Sequence, residues 1–146
     1  MIAIVGLLAL GAIGFFVYNK KQNAEGIRGV PVPVSGIETE VVEEWVATFQ
    51  EVLKNDEVLQ KIVTESEYSA KLEVPEAEAV AHLGAAVRIS HNRARRALVV
   101  GLVGKQKDQQ FLDEISKMIF NVSAPHVATQ QPSFARHYQK MSEQSQ

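Results

Sequence analysis

The sequence predicts an all-α protein: an N-terminal single transmembrane helix, an extended proline-containing tether, and a small bundle of four or five helices. Three observations lead there. MIAIVGLLALGAIGFFVY runs eighteen residues without a charged side chain. NKKQNAEGIRGVPVPVSG then interrupts any regular helix with glycine and a Pro-Val-Pro stretch. Beyond it, apolar residues recur at helical spacing with acids between them. The expected domains are a transmembrane helix over 1–18, an extended linker over 19–36, an α-helical domain over 37–121, and a polar C-terminal tail over 122–146 that holds a short helix.

As a helix, the first eighteen residues would reach about 27 Å, enough for a hydrocarbon layer of about 30 Å if the ends adjust. No basic residue precedes the apolar run and no Ala-x-Ala follows it, so a retained anchor is expected rather than a cleaved signal. Phe15, Phe16 and Tyr18, followed by Lys20 and Lys21, have the pattern of an interfacial aromatic belt with basic residues beyond it. The expected location is a membrane crossed once, with the N-terminus outside and the domain cytoplasmic, or an internal virion membrane, and membrane lipid is the first expected partner. The tether after it reads as extended or polyproline II, and Val32 and Val34 would suit a groove or an added edge strand.

Ser35-Gly36-Ile37-Glu38 has capping-box spacing, which places a helix start there. Val42, Trp45, Val46, Phe49, Val52 and Leu53 form its stripe, opposite Glu40, Glu43, Glu44 and Glu51. Asn55 and Asp56 cap a second helix carrying Val58, Leu59, Ile62 and Val63. Pro75, with acids just after it, opens a third, whose series Val80, Leu83, Val87, Ala94 and Leu98 continues at helical spacing with His91 on the same stripe. Asp108 caps a last helix bearing Phe111, Leu112, Ile115, Met118 and Ile119 and closing near Asn121. In the tail, PSFARHYQKM reads as a short helix docking through Phe134 and Tyr138. Trp45, Phe49 and Phe111 are expected in the core.

Charge is polarised along the chain although the formal net charge is only −2. From Glu38 to Glu78 twelve acids stand against Lys54, Lys61 and Lys71, a balance of −9. From Arg88 to Lys107 six bases meet no acid. Arg88, Arg93, Arg95 and Arg96 are therefore the expected partner-binding residues. Their counterpart is the acidic helices of the same domain, another subunit, a different protein, or nucleic acid.

If Ser90 caps a new helix, EAVAHLGAAVRISHNRARRALVVGL reads as a helix-turn-helix with the basic helix second. This short stretch resembles the winged-helix DNA-reading domain of septal DNA translocases, whose recognition helix carries a similar Arg-Ile-x-x-Asn-Arg-Ala run, here Arg88 to Ala94. The resemblance implies duplex binding through residues 88–107. The chain departs from that pattern after Gly104, where a wing needs a β-hairpin and KQKDQQFLDEISKMIF reads as helix.

Catalysis has little to work with. The chain contains no cysteine, which removes thiolate ligands, disulfides and a cysteine nucleophile together. There is no G-x-S-x-G or S-x-x-K motif, and GLVGK lacks the spacing of a phosphate-binding loop. Glu78 and His82 could share a helix face, but no further ligand falls at a recognisable metal spacing. His91 on an apolar stripe reads as a packed histidine, and His126 and His137 as solvated ones. No cofactor, metal or catalytic residue is expected. The expected function is that of a non-enzymatic, membrane-anchored structural or adaptor protein, an assembly factor or a viral membrane protein linking an internal bilayer to the capsid shell. The alternative is a membrane-tethered helix-turn-helix DNA-binding protein.

Overall fold

The segment expected to continue the third helix contains Val87, Ile89, Val99, Val100 and Val103 with Gly101 and Gly104. β-Branched residues lose side-chain freedom in a helix and glycine loses backbone freedom, so the same residues favour strands. The computed structural model, which describes residues 25–145, resolves the ambiguity that way. Its elements are β1 (Glu25–Pro33), α1 (Thr39–Val52), α2 (Asp56–Ser66), α3 (Tyr68–Leu72), α4 (Glu76–Ala86), β2 (Val87–Asn92), β3 (Ala97–Lys105), a 3-10 turn (Gln106–Asp108), α5 (Gln109–Gln130) and α6 (Pro132–Gln144). The expected all-α bundle is thus corrected to a mixed α/β fold. Among the described residues, six α-helices accompany a three-stranded antiparallel sheet of order β1-β3-β2.

From Glu25 onward, the tether is part of this fold. Val30, Val32 and Val34 turn toward the core, with Val32 fully buried, while Pro31 and Pro33 face outward. β1 pairs with β3 from Glu25↔Lys105 to Pro33↔Ala97. The prolines fall on an outer strand, the place in a sheet where a missing amide hydrogen is tolerated. β3 is paired on both sides, and Leu98, Val100 and Leu102 on its inner face are all fully buried. A central strand of this kind reads as an unbroken apolar run, which periodicity cannot tell from a buried helix. Gly101 lies opposite Gly29, and a Cβ on Gly101 would run into the Arg28 carbonyl oxygen. Only glycine lets the two backbones approach this closely.

The helices form the second layer on the inner face. α5 packs on β1 and β3, α1 on β2, and α2 between α4 and α5. Val42, Trp45, Phe49, Leu59, Ile62, Leu83, Ile115 and Ile119 bury the expected stripes in one core with Val32, Leu98, Val100 and Leu102. Phe111 is only half-buried, stacked on Tyr68 at 5.8 Å between ring centroids. Asn55 caps α2, its Oδ1 accepting from the Glu57 amide at 2.8 Å. The Ser35 box does not form. Gly36 takes a φ of 82° in the turn before α1, and Glu38 is the N-cap without a side-chain bond.

α5 runs past Asn121 and through Pro125 to Gln130. α6 then folds back, burying Phe134 edge-on against Trp45 and Phe49, each at 5.3 Å. Trp45 Nε1–H donates to Ser133 Oγ at 2.9 Å, and His137 Nε2–H donates to the Pro33 carbonyl at 2.7 Å, so His137 is a clasp between α6 and β1 rather than a solvated side chain.

The transmembrane helix expected over 1–18 and its interface residues Phe15, Phe16, Tyr18, Lys20 and Lys21 lie outside the described residues. No helix among the described residues is long and apolar enough to cross a membrane. Even α5, with 22 residues, has the alternating polarity of a helix half-buried in a core. The single-pass membrane location therefore finds no support in the fold and is set aside.

Candidate docking surface

The four arginines expected to bind a partner lie on a strand and a turn instead of a helix: Arg93, Arg95 and Arg96 at the tip after β2, and Arg88 near the other end of that strand. Arg88 lies on the outer side of β2, and its guanidinium donates to the Ala85 and Val87 carbonyls at 2.7 and 2.8 Å. Arg93, Arg95 and Arg96 occupy the four-residue connection between β2 and β3, all exposed. Asn92 Oδ1 accepts from the Arg95 amide at 3.1 Å, and the Arg96 amide donates to the Arg93 carbonyl at 3.2 Å. Arg96 closes the turn in the left-handed region at φ 50°, a position that usually belongs to glycine or asparagine. Its carbonyl accepts from the Val34 amide at 2.9 Å, which ties the tip to the end of β1.

This geometry corrects the helix-turn-helix reading. Arg88 to Ala94, the residues that carry the winged-helix resemblance, form β2 and the first half of its turn, so no recognition helix exists there. The expected pairing of the basic segment with the acidic helices is also slight. Glu43 Oε1 lies 3.4 Å from both His91 Nδ1 and Arg93 Nη2, at the base of the tip. Among the described residues Arg88, Arg95 and Arg96 form no ion pair. His91 is a packed residue, its side chain 8 % exposed.

Among the described residues, no helix packs on the outer face of the sheet. A shallow groove of about 680 Å³ crosses it, floored by Gly29, Pro31 and Val99 and walled by Ser90, Asn92 and the Arg95–Arg96 pair. Ile27, at the mouth of this groove, is 60 % exposed and is the large apolar side chain most open to solvent among the described residues.

The two outer strands of the sheet are finished differently. Along β1, two prolines remove donors and His137 covers the Pro33 carbonyl. Along β2, the strand pairs with β3 alone; apart from the Arg88 contact to the Val87 carbonyl and the bond from the Val87 amide to the Leu83 carbonyl, no described group bonds to its other side. Sequence reasoning missed Ser90 and Asn92 as surface residues of this strand. The available signal was Asn92 followed by a polar run, which suits the start of a turn.

The remaining titratable groups are structural in their contacts. His82 Nδ1 meets the Tyr68 hydroxyl at 2.7 Å, not Glu78. Burial pushes the Tyr68 phenol up to about 12. No group of three or more possible metal ligands occurs among the described residues.

No protein-family model, curated protein or solved structure matches the chain.

Proposed function

We propose that this chain is a non-enzymatic docking domain that presents the arginine-tipped side of its sheet to an acidic protein partner. One observation carries the reading. Among the described residues, a chain with a −9 segment of its own leaves Arg88, Arg95 and Arg96 outside any ion pair, on the side of the sheet where no described helix packs. Burying these charges within the fold would require matched carboxylates, whereas an exposed basic cluster steers and selects an oppositely charged surface. The absence of catalytic motifs in the sequence supports an adaptor or assembly role over an enzymatic one.

The test is the double substitution Arg95→Glu and Arg96→Glu. Both side chains are exposed, so the urea midpoint should stay within error of the wild type. Binding to a partner first recovered with the wild type and then purified should weaken by at least about tenfold, since each reversed charge replaces attraction with repulsion. Unchanged affinity rejects the reading.

Nucleic acid is the second reading, favoured by the shape of the site: two-stranded ribbons and inserted arginines are established ways of entering a DNA groove. Against it, the net charge is −2 and Glu43 stands at the base of the tip, where a phosphate would be repelled. It predicts duplex binding that falls steeply with salt. No binding at low salt removes it.

A further inference from the structure

The contrast between the two outer strands narrows what the partner offers. An unpaired strand presents a row of amide hydrogens and carbonyls, and proteins block such rows with prolines, charges or covering elements unless they are used. β1 carries two prolines and the His137 cap; β2 carries neither device along Ile89 to Asn92. Among the described residues, the side of β2 left open adjoins arginines that form no ion pair. On the strand itself, Arg88, Ser90 and Asn92 point to the outer face, and Arg95 and Arg96 stand at its end.

We propose that β2 accepts an extended acidic segment of the partner as a fourth strand, with every second side chain of that segment carrying a carboxylate toward Arg88 and the Arg95–Arg96 pair. The inference rests on the docking reading above. Backbone pairing supplies the affinity in such strand additions, and alternate side chains supply the selectivity. The period of two follows from the strand: the guest residues on the outer side meet arginine, while those between them turn toward the helical layer, where apolar side chains fit. A second copy of this chain is a poor guest. Pairing two β2 strands antiparallel lays each basic tip beside the Arg88 of the other copy, and like charges facing across strands are destabilising.

The experiment uses the full-length protein and a fluorescent peptide of about twelve alternating Glu and Val residues, long enough to span the six residues of β2. Anisotropy should show saturable binding, lost by about fivefold or more in Arg88→Glu and absent for the Lys-Val counterpart. The deciding probes are two N-methylated forms, one blocked at every Glu amide and one at every Val amide. In an extended strand these two sets of amides face opposite sides, so one form should lose at least about tenfold in affinity and the other should bind as before.

Arginine-dependent binding that neither methylated form disturbs overturns strand addition and leaves the acidic-partner reading standing. Binding that survives both Arg88→Glu and the Arg95→Glu, Arg96→Glu pair overturns both. No binding of the Glu-Val peptide, or arginine-dependent binding of a duplex of about 20 base pairs in its place, overturns the inference. So does a dimer of the protein alone in which β2 amides become protected from hydrogen exchange.

Discussion

The corner where α6 closes on α1 and the turn that joins β2 to β3 are built by opposite rules. At the corner, Trp45, Phe49 and Phe134 are buried edge to face, and the polar atoms among them are matched: the indole with Ser133, the His137 imidazole with the Pro33 carbonyl. No buried side-chain polar atom among the described residues lacks a partner. At the tip, three arginines in four positions are exposed, one ion pair at 3.4 Å is the whole of their charge compensation among the described residues, and Arg96 holds an unfavourable backbone angle. Packing and satisfied hydrogen bonds hold the first region, while the second adds little to stability. A region that contributes little to the fold and leaves its charges unmatched is one whose chemistry is directed outward.

The comparison can be broken at the corner first. Trp45→Ala removes the largest buried side chain and leaves the Ser133 hydroxyl without its donor; urea unfolding should show a loss of about 3–5 kcal/mol, enough to unfold a domain of ordinary stability. A loss below about 1 kcal/mol would mean the corner is not where stability lies.

Tyr68, elsewhere in the helical layer, gives a second handle through pH. Its folded pKa lies above the ordinary value of 10.0, so the fold favours the neutral phenol. The stabilisation it brings is complete below about pH 10 and drains away as the pH rises through about 12, because only the unfolded chain readily releases the proton in that interval. Denaturant midpoints of the wild type should therefore fall across that window more steeply than those of Tyr68→Phe. Parallel curves for the two proteins would show that Tyr68 does not titrate in this way.

At the tip the expected sign is reversed. Arg96→Gly relieves the left-handed angle at φ 50° and should raise stability by about 0.5–1 kcal/mol, while weakening partner binding through the lost charge. Glu43→Gln should be the smallest effect, under about 0.5 kcal/mol in stability, since the ion pair with Arg93 is exposed on both sides and the amide oxygen can still meet His91. If either substitution destabilises like Trp45→Ala, the tip is part of the structural framework and the contrast between the two regions fails.

The amphipathic stripes of α1 and α2, the Asn55 cap, the burial of Trp45 and Phe49 and the docking of Phe134 were all legible in the sequence. Each depends on residues three or four positions apart, or on a side chain meeting an amide two residues away, so local spacing carries the information. The arginine cluster was legible as composition, but its presentation was not. Three things hid the sheet. Val32 pairs with Leu98 and therefore depends on a contact between segments far apart in the chain. The apolar run of β3 satisfies helical and strand patterns equally well. The turn at Arg93 to Arg96 lacks glycine, because an arginine occupies the left-handed position where glycine would have announced a hairpin. The sequence determined which side chains seek a core and which carry the charge. Tertiary pairing alone decided that the Pro-Val-Pro segment is a strand, that among the described residues β2 pairs on one side only, and that Arg93, Arg95 and Arg96 stand at its end with Arg88 on its outer face, because partners distant along the chain leave no periodic trace in it.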